Sequence, residues 1–195
     1  IILQHRILMA KKLKLFMIMV GATVKGRIIE QHDIFFGVGL KVKDLIPELL
    51  HFWPEAEGKF HIDAWREVTI VDDFLIEVVE RNEDVKSKQN LYFLNLGGYK
   101  AGDFEEYHYK MLTIASNMAT AVKYAKQTDF YKEFDFKGAL SHIDEKYGVD
   151  VDDTHNVADL LNDETKQLYS LKITALPELM KKDVLHIGYL KARSK

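Results

Sequence analysis

One stretch of this chain occurs twice. LFMIMVGATVKGRIIEQH, starting at Leu15, returns as LYFLNLGGYKAGDFEEYH, starting at Leu91, a constant offset of 76 residues. At that offset Leu15/Leu91, Gly21/Gly97, Gly26/Gly102, Glu30/Glu106 and His32/His108 are identical, and Phe16/Tyr92, Ile18/Leu94 and Val20/Leu96 are alike in kind. The register runs on through Phe36/Leu112, Val38/Ile114, Ile46/Val122 and Leu49/Ala125. After an insertion the offset becomes 81, matching His61-Ile62-Asp63 with His142-Ile143-Asp144, and then Val68/Val149, Ile70/Val151 and Asp72/Asp153. A repeat of this length implies two related units that share a core, because each alone is small enough to be marginal. The expected division is an N-terminal extension (1–12), repeat one (13–80), a linker (81–90), repeat two (91–174) and a C-terminal extension with a final strand (175–195). The linker composition, ERNEDVKSKQN from Glu80 to Asn90, is polar and charged. Met9 reads as a translation start, so the residues before it are set aside from fold reasoning.

Within one unit, Leu13 to Val20 is apolar nearly throughout, the pattern of a strand covered on both faces. Gly21 to Gly26 reads as a loop bounded by glycines, with Gly97 and Gly102 as the counterparts. Asp33 to Gly39 is aromatic and β-branched and predicts a second strand. Apolar residues at 45, 46, 49, 50 and 53 predict a helix over Lys43–Trp53, with Pro47 in its first turn and Pro54 as its stop. Phe60 to Ala64 predicts a third strand, and Asp72-Asp73 a hairpin turn between Glu67–Val71 and Phe74–Val79. In the second unit, Tyr109–Ala115 predicts a strand and Asn117 caps a helix running to about Thr128. Strands are further expected at Leu140–Ile143, Gly148–Val151, Tyr169–Thr174 and Val184–Leu190, with a short helix at Val157–Leu161. Strands in pairs point to α+β, two tandem ββαββ repeats in a mostly antiparallel sheet with a pseudo-twofold arrangement.

Composition excludes several classes. Lys+Arg total 27 against 30 Asp+Glu, so the net charge is −3 and no electrostatic footprint for nucleic acid exists. There is no cysteine, which removes disulfides, thiolate metal sites and a cysteine nucleophile. The apolar run Leu15–Val20 is far shorter than a membrane span, so no membrane association and a cytoplasmic location are expected. Gly21-Ala-Thr-Val-Lys-Gly26 resembles a phosphate loop, but Arg27 and Ile28 stand where Lys and a magnesium-binding hydroxyl are needed. Asp150-x-Asp152-Asp153 suggests a calcium loop, but His155 and Leu161 occupy the positions of the required Gly and Glu.

The strings KGRIIEQHDIFFGVG, HIDAWREV, NLGGY, EEYHYKML, SHIDEKYGVDVDD and LHIGYLK resemble the bacterial family called domain of unknown function 1543, from about Leu13 to Lys191. The resemblance implies a bacterial, soluble, tandemly repeated protein. The family has no assigned activity, so the resemblance names no catalytic residue.

One constellation carries chemistry. Glu30-x-His32 and His61-x-Asp63 in unit one correspond to Glu106-x-His108 and His142-x-Asp144 in unit two. Residues i and i+2 of a strand share a face, so each pair sets an acid beside an imidazole. Should the second and third strands lie close, each unit gathers two carboxylates and two imidazoles. Such sets suit a divalent metal such as zinc, manganese or iron, or general acid–base work. The plainer reading is structural: polar groups marking where the core face meets a loop, or facing solvent. Tyr99, Phe104, Tyr107 and Tyr109 read as an aromatic platform or as ordinary sheet packing. Three functions follow: a non-catalytic small-ligand or regulatory binding module built as a pseudo-dimer, a metal-dependent hydrolase or isomerase, or a structural module with a protein partner.

Overall fold

The computed structural model describes residues 12–82, 87–100, 102–130, 149–178 and 180–191. In chain order the first half contains β1 (Lys14–Ala22), β2 (Gln31–Gly39), α1 (Ile46–Phe52), β3 (Phe60–Glu67), β4 (Ile70–Val71) and β5 (Phe74–Glu80). The second half contains β6 (Asn90–Tyr99), β7 (Glu106–Ala115), α2 (Met118–Ala125), β8 (Val149–Asn156), β9 (Tyr169–Ala175) and β10 (His186–Lys191). Short helices at Val157–Leu160 and Asp163–Leu168 lead from β8 into β9, and only the first of them was legible in the sequence. The chain is α+β, with antiparallel pairing throughout its described ladders.

The apolar run that predicted a doubly covered strand is β1, the partner of both β2 and β3. Phe16, Ile18 and Val20 pack on one side against Val42, Leu45 and Leu49, which lie in and just before α1. Leu15 points the other way, into a cluster with Phe36, Leu91, Phe93, Leu112 and Ile114. That alternation is the period of two expected of a strand between two apolar layers. The helix expected over Lys43–Trp53 is divided into a 3-10 turn, Val42–Leu45, and α1. Pro47 has no N–H to offer the carbonyl four residues earlier, so the α-helix cannot extend back through it.

Three sheets result, in the orders β10-β3-β1-β2, β7-β6-β8 and β4-β5-β9. The inner faces of the first two meet in one cluster, where the Phe36 and Phe93 rings lie 5.5 Å apart, edge to face. Val71 and Ile76 bring the third sheet to the same cluster. Outside the second sheet, α2 lays Ala121 and Ala125 against Tyr92, Leu94 and Leu96. Small residues at i and i+4 let that helix approach the sheet closely. Asn117 caps it as predicted, accepting from Thr120 N at 2.9 Å.

Two details of register matter for the site. The β1–β3 ladder slips between Met19 and Val20: Met19 faces Ala64, Val20 faces Ile62, and Asp63 is the extra residue of a bulge. The β6–β8 ladder slips between Asn95 and Leu96, which face Asp153 and Val151, leaving Asp152 as the extra residue. Asp150 stands opposite Gly97 as His61 stands opposite Gly21. This corrects the matching of third strands, which had set His142 against His61. His142, Asp144 and the strand expected at Leu140–Ile143 lie outside the described residues. The bulge also places Ala64 on the same side as His61, as it pairs with Met19 while His61 pairs with Gly21.

Candidate functional site

Gly21 and Gly97 were expected in loops, and both lie inside strands. The loop glycines are Gly26 and Gly102, with φ of 83° and 89°, a backbone region that side chains disfavour. A strand follows each of these loops, so no helix N-terminus is present to hold a phosphate. At the tips, Ile28 and Phe104 are fully exposed.

Gly21 has a different role. It pairs with His32 on one side and His61 on the other, so β1 lies between the two imidazole-bearing strands. With no side chain on Gly21, the neighbours close over it. A Cβ there would sit 2.6 Å from Asp63 Oδ2, 2.8 Å from His61 Nε2 and 3.2 Å from His32 Cδ2. The four residues expected to gather in unit one do gather. His61 Nε2 lies 3.0 Å from Asp63 Oδ1 and 3.4 Å from Glu30 Oε1. His32 Nε2 lies 3.4 Å from Asp63 Oδ2 and 3.6 Å from Glu30 Oε2. Each imidazole therefore touches both carboxylates, and the contacts run around a ring. Asp63 Oδ2 is buried and accepts no hydrogen bond despite that proximity. His61 is 12% exposed at its side chain, so the solvent-facing reading fails for it, while Glu30 and His32 reach water.

Among the described residues no group of three or more His, Asp or Glu side chains is placed to hold a metal ion. The contacts of Glu30, His32, His61 and Asp63 are with one another. What two acids and two imidazoles in contact can do is pass a proton among themselves. In unit two, Glu106 and His108 approach to 3.8 Å, and Asn95 Nδ2 meets His108 Nδ1 at 3.3 Å.

Gly21→Ala tests the arrangement. The clashing atoms are the ends of flexible side chains, so the strand survives and the ring opens. The expected stability loss is within about 1–3 kcal/mol, the usual cost of overpacking. The ring-proton NMR signals of His32 and His61 are expected to move by more than those of His51, whose Nδ1 is near Pro47 O on the far helix. Unchanged His32 and His61 signals would mean that the contacts do not exist in solution.

Two residues along β1, about 7 Å by strand rise, the same face opens into a cavity of about 710 Å³. Its floor includes Met17, Met19 and Ile34 from β1 and β2, and its opposite wall includes Tyr109, Lys110 and Leu112 from β7. Arg66 of β3 and Asp183, in the segment before β10, complete one side. Tyr109, one of the four aromatic residues noted in the sequence, stacks on Phe130 at 5.4 Å beside this wall. Arg66 Nε is buried with no hydrogen-bond partner, and burial holds the guanidinium below its ordinary pKa while Asp183 and Tyr109 pull the other way. Lys110 is half-buried, and desolvation lowers its pKa as well. Sequence reasoning missed both cations. Lys110 did leave a signal, since it occupies the place of Ile34 at the repeat offset, a charge on a face otherwise apolar.

Residues 27–78 match the family model described as Domain of Unknown Function (DUF1543). The family resemblance in the sequence is thus shown over the segment that holds Glu30, His32, His61 and Asp63. No curated protein matches the chain. Among solved structures, protein Il1583 from Idiomarina loihiensis is similar over 93% of this chain and 99% of that one, with a TM-score of 0.63 at 21% identity. At that identity the likeness concerns the fold. Within the described residues no helix is long and apolar enough to cross a membrane.

Proposed function

We propose that this chain is a small-ligand binding module in which two copies of one unit pack face to face and take the ligand between them. The single observation that carries this reading is the cavity, which has walls from both halves: Met17, Met19 and Ile34 from one, Tyr109 to Leu112 from the other. Its volume falls in the range of small-molecule sites, and ligand sites favour interfaces between packed units. Support for the pseudo-twofold arrangement comes from three parallels. The central strands β1 and β6 each lie between an antiparallel hairpin partner and a third strand. Both third-strand ladders slip at corresponding residues. Each glycine, Gly21 and Gly97, stands opposite a histidine, His32 or His108. The acid–imidazole ring then stands beside the ligand space, able to hydrogen-bond whatever extends toward it.

The neutral dye Nile red tests the cavity without reference to charge. It is expected to bind one equivalent with blue-shifted emission, and Met19→Trp, which fills the floor, is expected to abolish that emission while unfolding stays cooperative. Met111→Trp fills the opposite wall and serves if the first variant does not fold. No binding to the native chain, or full binding to the filled variants, would overturn the reading.

A further inference from the structure

Resting on that reading, we infer that the cavity between β1–β2–β3 and β7 takes an amphipathic organic anion, its carboxylate or phosphate held by Arg66 and Lys110 and its apolar part on the methionine floor. Of the three acids that line the cavity, Asp183 and Asp72 are held by their surroundings. Asp183 accepts from Thr69 N at 2.9 Å, from Ile70 N at 3.2 Å and from the Thr69 hydroxyl. Asp72 accepts from Thr113 Oγ1 at 3.0 Å and Ile114 N at 2.8 Å. Asp183 thus accepts at both oxygens and Asp72 at Oδ2, each from donors of its own surroundings. Arg66 and Lys110 are not held in this way. Arg66 has no ion pair among the described residues and a buried, unpartnered Nε, because Asp183 acts on it through space from beyond ion-pair distance. Lys110 has neither a hydrogen bond nor an ion pair among the described residues, and burial alone depresses its pKa. Asp73 and Lys182 also line the cavity, but both are exposed to water at its rim and are opposite in sign.

Buried polar groups without partners are costly, and a half-buried cation more so than a neutral group. A chain that keeps two such groups in one cavity gains most from a ligand that supplies acceptors to both. Arg offers a planar fork suited to a carboxylate or phosphate, and Lys a point charge. Met17, Met19 and Ile34 supply the apolar complement, and methionine adapts its shape to the chain that lies on it.

Three single-chain probes below their micelle concentrations test this: decanoate, decyl phosphate and decyltrimethylammonium. Binding is read by calorimetry and by the fluorescence of Trp65, which lines the cavity. Both anions are expected to bind with a stoichiometry of one, and the cation at least tenfold more weakly. Arg66→Gln and Lys110→Gln are each expected to weaken decanoate by about 10- to 100-fold, the range for a charge-assisted hydrogen bond. Should either fold poorly, Lys110→Ile, which restores the residue of the first unit, replaces it. Equal affinity for the cation, or full decanoate binding by the variants, would overturn the anion assignment while Nile red binding kept the cavity reading intact. If neither Nile red nor any decyl probe binds, the cavity reading itself falls.

Discussion

Asp72→Gly is expected to lower the unfolding free energy by about 2–4 kcal/mol, measured by urea denaturation. On local geometry alone the opposite sign would be expected. Asp72 has a φ of 51° in a two-residue hairpin turn, where glycine relieves strain worth about 1 kcal/mol. The carboxylate outweighs that gain. It reaches from the β4–β5 turn to β7, where it accepts from Ile114 N and Thr113 Oγ1. β7 pairs only with β6, so its outer N–H groups find no strand partner among the described residues. Thr113 is 2% exposed, so its hydroxyl has little access to water once the acceptor is gone. Two donors left unsatisfied cost about 1–3 kcal/mol each. Asp72→Asn keeps one acceptor and is expected to fall between the two. A glycine variant more stable than the native chain would show that the turn, not the bridge, controls this corner.

Phe16→Ala is expected to cost about 3–5 kcal/mol, the range for truncating a buried phenylalanine. Phe16 is fully buried near the start of β1, with its ring 6.1 Å from that of Trp65. It lies under Leu45 and Leu49, so truncation opens a cavity between the sheet and α1. Chemical denaturation followed by Trp65 emission measures the loss. A value under about 2 kcal/mol would mean that α1 settles into the space, which its proline-limited start makes difficult.

How much of this was legible in the residues depends on the range of the interaction involved. β1, β2 and α1 were readable because their apolar spacing is set within ten or so residues and tertiary contacts agree with it. The meeting of Glu30, His32, His61 and Asp63 was readable as two acid–imidazole pairs that come together if their strands lie close; that Asp63 sits at a bulge and Glu30 just before β2 was not. The role of Gly21 was not, because a glycine in a strand signals close approach without saying what approaches. Nor was the third strand of the second half, because the insertion before it is longer than the sequence match indicated: Asp150, not His142, is the partner of Gly97, an offset of 89 from His61 rather than 81. Arg66 and Lys110 come from strands joined only by packing, so no local pattern announces that they share a cavity.

The last strand has a consequence for how the chain reaches this state. β10 covers the outer edge of β3, pairing Ile187 with Ala64 and His186 with Trp65. His186 also stacks on the Trp65 ring at 3.8 Å. Until residues near 190 have left the ribosome, the first half waits with one hydrogen-bonding edge open, although its own strands are long finished. Such an edge is a template for pairing with other chains, and contacts this distant in sequence form late. Between synthesis of β3 and arrival of β10, that edge is therefore open to pairing with other chains.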